Sequence, residues 1–262
     1  MIGAVRLTVA DLDQAVAYYE RVIGLRMLER DGDVVRLGAD TALVELEGDP
    51  GAPPRGAHST GLFHLAVLVP TRADLARAVR RVVETGERFT GASDHLVSEA
   101  LYLRDPEGNG IELYRDRPRE TWQYDGDEIR MGTVALDLGD LMRNEPDGED
   151  AGMPEGARIG HVHLQVADLA DAEAFYAGEL GLDVTVRSYP GALFLSRGGY
   201  HHHVGANTWA SAGSPPAPAG SRGLKWFEID VPGSGALTDP SGNRLLPTPA
   251  TRAPSRPRGG QG

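Results

Sequence analysis

The sequence predicts an α+β fold in which repeated βαβββ modules pair into cup-shaped sheets, the fourth module being truncated. Two observations carry this. Residues 5–25 (VRLTVADLDQAVAYYERVIGL) align without a gap to residues 162–182 (VHLQVADLADAEAFYAGELGL), and self-similarity at this scale marks a repeated supersecondary unit. The turn Asp105-Pro106-Glu107-Gly108-Asn109-Gly110 is echoed by Asp239-Pro240-Ser241-Gly242-Asn243, which points to a second pair of related units built on the same turn chemistry.

Each module has its own local signature. In residues 1–49, module 1, a strand of alternating apolar residues gives way to helical spacing after Asp11 and stops at Gly24-Leu25, and Val34 to Leu46 reads as a hairpin. Module 2, residues 60–116, opens on the strand FHLAVLVP, carries the helical stripe Leu75, Ala78, Val79, Val82 and Val83, and closes with a hairpin over Leu96 to Tyr114. Residues 117–158, rich in charge, Pro and Gly, read as a linker with one short helix near Leu136 to Met142. Module 3, residues 159–209, repeats module 1, with Asp168 at its helix start and a hairpin over Ala192 to Ala206. Module 4, residues 222–247, keeps strands around Leu224 to Pro232 and Leu237 to Leu246 but no helix, and residues 248–262 are expected to be a disordered tail.

Composition narrows the chemistry. The chain has no cysteine, so any metal rests on imidazole and carboxylate. Its 26 basic against 38 acidic side chains give a net charge of −12, which opposes nucleic acid and anionic membrane surfaces as partners. The N-terminal residues lack a basic stretch followed by an apolar run, and no later stretch is apolar for the length of a bilayer, so a cytoplasmic chain is expected.

A βαβββ unit cannot bury both faces of its own sheet, so two units are expected to curl together and place chemistry on inward strand positions. Internal alignment puts Arg6, His64, His163 and Trp226 at one first-strand position, and Glu112 against Leu246 at one last-strand position. Two histidines and a carboxylate thus match in modules 2 and 3 only, so these two modules are expected to form the cup and modules 1 and 4 to pair elsewhere. His64, His163 and Glu112 are the predicted ligands, a set suited to Fe(II) with open coordination positions, and equally to Mn(II). His161 shares a face with His163 and reads as a rim, substrate-contacting residue or an alternative ligand. By strand alternation His201 and His203 share a face and His202 points away, an order that a one-residue bulge would reverse. Trp122 and Trp209 read as packing residues.

These stretches, with SDHLVSEALYLRDPEGNGIELYRDRPRETWQ, IGHVHLQVADL and GGYHHHVGANTW, resemble CatE-type catechol 2,3-dioxygenases of the vicinal oxygen chelate (glyoxalase, bleomycin resistance, extradiol dioxygenase) superfamily. The resemblance covers roughly Ala4 to Trp209. It implies two histidines and a glutamate on Fe(II), a catechol-like aromatic substrate, O2 as co-substrate and a ring-opened hydroxymuconic semialdehyde as product. It also implies Tyr102 as a hydrogen-bonding partner of a substrate oxygen, His203 as acid/base, His95 as a second acid/base or substrate contact, and His201 and His202 as substrate neighbours. Family members usually keep a complete fourth module; its erosion here leaves a module 1 sheet that a second copy of the chain could cover, a homodimer. Two competing readings use the same cup: a glyoxalase-like metal-dependent isomerase or lyase with a fourth ligand, and a non-enzymatic drug-binding protein without metal.

Overall fold

The computed structural model describes residues 1–146, 148 and 150–248; the predicted tail beyond Thr248 lies outside them. Two curled mixed sheets form the framework. The strands are β1 (Ile2–Val9), β2 (Arg26–Asp31), β3 (Val34–Gly38), β4 (Ala42–Gly48), β5 (Gly61–Leu68), β6 (Gly91–Asp94), β7 (Ser98–Arg104), β8 (Gly110–Asp116), β9 (Tyr124–Asp125), β10 (Glu128–Ile129), β11 (Val134–Ala135), β12 (Arg158–Gln165), β13 (Asp183–Val186), β14 (Ala192–Ser196), β15 (Val204–Asn207), β16 (Gly223–Ile229), β17 (Leu237–Thr238) and β18 (Arg244–Pro247). The nine-stranded sheet runs β11-β6-β7-β8-β5-β12-β15-β14-β13 and the seven-stranded sheet β17-β18-β16-β1-β4-β3-β2. The second and third units therefore share one sheet, and the first and degenerate fourth share the other.

The helices start where the sequence places caps. Asp11 accepts from the Gln14 N–H at the head of α1 (Leu12–Tyr18), and Asp168 accepts from the Ala170 and Asp171 N–H groups at the head of α4 (Leu169–Glu173), satisfying backbone donors that a helix start leaves unpaired. Thr71 and Asp74 form a reciprocal cap on α2 (Arg72–Glu84). Both repeat helices then widen into a π turn, over Tyr19–Ile23 and Ala174–Glu179. This brings matched tyrosines to matched turns: the Tyr19 hydroxyl donates to Asp105 and the Tyr176 hydroxyl to Asp239. Each aspartate also accepts from the backbone and side chain of its turn asparagine, Asn109 or Asn243. The echoed turns are thus the sockets that tie unit one to unit two and unit three to unit four.

No helix joins β16 to β18, as the sequence predicts for the fourth unit. The segment between units two and three is more than a connector. It holds α3 (Leu138–Met142), buries Leu141, and adds β11 to the edge of the nine-stranded sheet by pairing with β6. Among the described residues no helix is long and apolar enough to cross a membrane.

Candidate metal centre

Cross-strand pairing aligns Tyr102 with Glu112, Glu112 with Ala66, and Ala66 with His161 across β7, β8, β5 and β12. Partners in a sheet point to the same face, so these four side chains form one row inside the cup. Ala66 offers only a methyl group, which leaves room for Glu112 and His161 to meet above it. His64 reaches over from the neighbouring row. Its Nε2 lies 2.9 Å from Glu112 Oε2 and 3.4 Å from His161 Nε2, and His161 Nε2 is 3.3 Å from the same Oε2. All three residues are buried, and their donor atoms lie within 4.8 Å of one another.

The converging imidazole from β12 is therefore that of His161, and this departs from the sequence expectation of His163. His163 does pair directly with His64 across the two strands, as repeat equivalence implies. That pairing sets it one row away from the carboxylate. Its ring stands nearly perpendicular to that of His64 at 5.0 Å, and its buried Nε2 has no hydrogen-bond partner. The shift has a local cause. Ile159 pairs with Val67 and His161 with Ala66, so Gly160 is an extra residue, a bulge that moves His161 into the row of Glu112. Gly160 must lack a side chain, because a Cβ there would lie 1.7 Å from the Tyr114 hydroxyl.

The triad forms part of the wall of a cavity of about 190 Å³. Phe63, Tyr189, Phe194 and Trp209 supply aromatic walls, and Met131 and Thr133 enter from the segment read as a linker. Trp209, expected only to pack, does both. Tyr102 lies on the cavity with its hydroxyl 2.6 Å from His95 Nε2, and His95 Nδ1 lies 2.7 Å from the Gly132 carbonyl. A carbonyl only accepts, so Nδ1 carries the proton and the Tyr102 hydroxyl donates to Nε2.

A cup of this kind has parallels among known proteins. The glyoxalase/bleomycin resistance protein/dioxygenase superfamily profile matches residues 1–113 and 158–232. The catechol-2,3-dioxygenase of Bacillus subtilis is 44% identical over 239 residues, covering 88% of this chain and 82% of that protein. The chain belongs to this superfamily. A biphenyl-2,3-diol 1,2-dioxygenase of Rhodococcus globerulus is 34% identical over 118 residues, 43% of this chain and 61% of that protein. The superfamily fold is seen as well in glyoxalase I from Zea mays, with a TM-score of 0.60 at 16% identity over 95% of this chain and 92% of that one.

In this superfamily member the histidine triplet divides as strand alternation expects, His201 and His203 both lying against Tyr200 and His202 on the opposite side. β15 begins only at Val204, though the His203 N–H already donates to the Leu195 carbonyl and the His203 carbonyl accepts from the Val162 N–H. His202 lines the cavity, its ring centroid 4.0 Å from that of His161. His201 is fully buried behind it. His203, the expected acid/base, lies away from the cavity, where its Nδ1 accepts from the Arg197 backbone N–H and its ring stacks on Tyr200. In the other sheet Arg6 pairs with Trp226 just as His163 pairs with His64, and Arg6 is engaged by Glu45, Glu47 and the Trp226 ring.

Burial sets the protonation of the site. It pushes His161 down to about 4, and His163 and His202 well below the usual imidazole range. Burial would raise Glu112, but the imidazoles of His161 and His64 hold its carboxyl well below its usual range. An ionised carboxylate with neutral imidazoles is the state a divalent cation requires. The same shifts predict acid sensitivity. In the unfolded chain histidines titrate near ~6.5, so below that pH the unfolded state takes up protons that the folded state refuses. Stability of the metal-free protein should be full above pH ~6.5 and fall as the pH drops toward the His161 value of about 4. Urea midpoints measured across this range, if flat, would contradict it.

Proposed function

We propose that this chain is an Fe(II)-dependent extradiol dioxygenase that opens a catecholic ring with both atoms of O2, with Mn(II) as the alternative ion. The observation that carries it is the buried His64, Glu112 and His161 set at the wall of an aromatic-lined cavity. A facial set of two imidazoles and one carboxylate suits Fe(II) and leaves coordination positions free, and the relatives named as catechol and biphenyl-diol dioxygenases support the same reading. His64, Glu112 and His161 would hold the ion. When bound, it supplies a template and an electron conduit between the diol and O2.

The remaining groups bind and move protons. Phe63, Phe194 and Trp209 enclose a flat ring. His202 faces the cavity as the group placed to take a hydroxyl proton, and Tyr102, oriented by His95, is placed to hydrogen-bond a substrate oxygen. Among the described residues the converging donor set stops at three, which favours ring cleavage over an isomerase needing a fourth ligand. Retention of the set disfavours a metal-free binding protein. The reading keeps the cytoplasm as compartment and a homodimer as assembly, the latter because edge strand β2 exposes Met27 and Leu28; sedimentation as a monomer would remove the dimer.

Anaerobic reconstitution with Fe(II), followed by catechol and oxygen, should give stoichiometric oxygen uptake and a yellow ring-opened semialdehyde. Absence of turnover across a panel of substituted catechols overturns the assignment.

A further inference from the structure

His202 is connected through the protein to a carboxylate on the far side of the triplet. Its Nδ1 lies 2.7 Å from Nδ1 of His201, and His201 Nε2 lies 2.9 Å from Oδ1 of Asp116. His201 is fully buried, while the Asp116 side chain keeps 24% of its exposure. The Tyr200 hydroxyl donates to the same Oδ1 at 3.1 Å and lies 2.8 Å from the Tyr114 hydroxyl, so the carboxylate is held in place from a second side.

Counting protons along this chain gives one arrangement for neutral rings. A carboxylate only accepts, so His201 Nε2 carries a proton and donates it. A neutral imidazole is bare at its other nitrogen, so His201 Nδ1 accepts from His202 Nδ1. His202 Nε2 is then left with a free lone pair, and it makes no hydrogen bond to the described residues on the cavity side.

We infer that Asp116 and His201 are positioning residues that fix His202 as the Nδ1–H tautomer, presenting its bare Nε2 to the cavity as the base for a substrate hydroxyl. The identity of that hydroxyl rests on the dioxygenase reading; the tautomer does not. On proton transfer the substrate O–H bond breaks and an Nε2–H bond forms on His202. The Nδ1 proton of His202 passes to His201 Nδ1, and the resulting imidazolium lies against the Asp116 carboxylate. No electron is exchanged. The relay has a physical purpose: a cation on His202 would sit stacked on His161 next to a divalent ion, whereas a cation on His201 lies beside an anion.

The test is the tautomer itself. The full-length chain, labelled with 15N-histidine and given Zn(II) as a diamagnetic stand-in, is examined by long-range 1H–15N spectra at neutral pH, the His202 signals being assigned by their loss in His202→Gln. Nδ1–H His202 is expected. Asp116→Leu, which leaves no carboxylate to accept from His201 Nε2, should release the order of donation and let His202 take up the Nε2–H form. That variant should lose ~10²- to 10⁴-fold in catechol turnover, the range of a misdirected base, at unchanged Fe(II) content. An Nε2–H His202 in the unsubstituted protein, or a tautomer indifferent to Asp116→Leu, overturns the inference. The unsubstituted spectrum decides by itself if Asp116→Leu does not fold. A protein with the expected tautomer but no turnover of any catechol would sink the dioxygenase reading and leave the relay standing.

Discussion

His161→Ala is expected to remain folded and to lose its metal, whereas His163→Ala keeps it. Only His161 shares a row with Glu112, through the Ala66 gap, and only its Nε2 lies within 3.4 Å of both partners. Removing a group that merely orients a ligand costs ~10- to 100-fold in metal affinity, so deleting one of three ligands should cost more than about 100-fold. His163 stands one row away with its buried Nε2 unpartnered, and its loss should cost less than about tenfold. Mn(II) titration by calorimetry, with far-ultraviolet circular dichroism as the control for folding, reads both. The reverse result, metal retained by His161→Ala and lost by His163→Ala, would return the ligand role to His163 and rule out the bulge at Gly160 as the device that aims the site.

The second large effect separates two neighbours in the triplet. His202→Gln should lower kcat by ~10²- to 10⁴-fold, the usual contribution of a general base, while metal content stays full. His203→Gln should leave kcat nearly unchanged, because that ring lies outside the cavity against Tyr200 and Arg197. Oxygen-electrode rates normalised to bound iron decide between them. A large loss in His203→Gln with none in His202→Gln would restore the acid/base role that the family resemblance implies for His203.

Both pairs show how far the sequence reaches. The gapless repeat after Val5 and Val162 located two helices and their Asp caps, because caps and apolar periodicity are local properties. The Asp-Pro turns at Asp105 and Asp239 were equally legible, though not that each receives a tyrosine from another unit. His64 and Glu112 were found by matching positions across repeats. His163 was found by the same match and is indeed the cross-strand partner of His64. A signal for the correction was present: Ile-Gly precedes both copies, as Ile2-Gly3 and Ile159-Gly160, and pairing in β1 and in β12 is irregular there. Met131 and Thr133 carried no such signal, since a segment rich in charge, Pro and Gly gives no hint of which cavity it will touch.

The sequence by itself determined the module plan, the pairing of the donor-bearing units, and the donor chemistry of two imidazoles and one carboxylate. Those rest on periodicity, turn residues and the absence of cysteine, which are properties of neighbouring residues. Which histidine completes the set, and which member of the triplet faces the cavity, were decided only in three dimensions. Side-chain direction on a strand has period two, so a single inserted residue at Gly160 re-aims the adjoining side chains. Whether such an insertion occurs depends on distant packing, here the Tyr114 hydroxyl occupying the space where a side chain at Gly160 would stand.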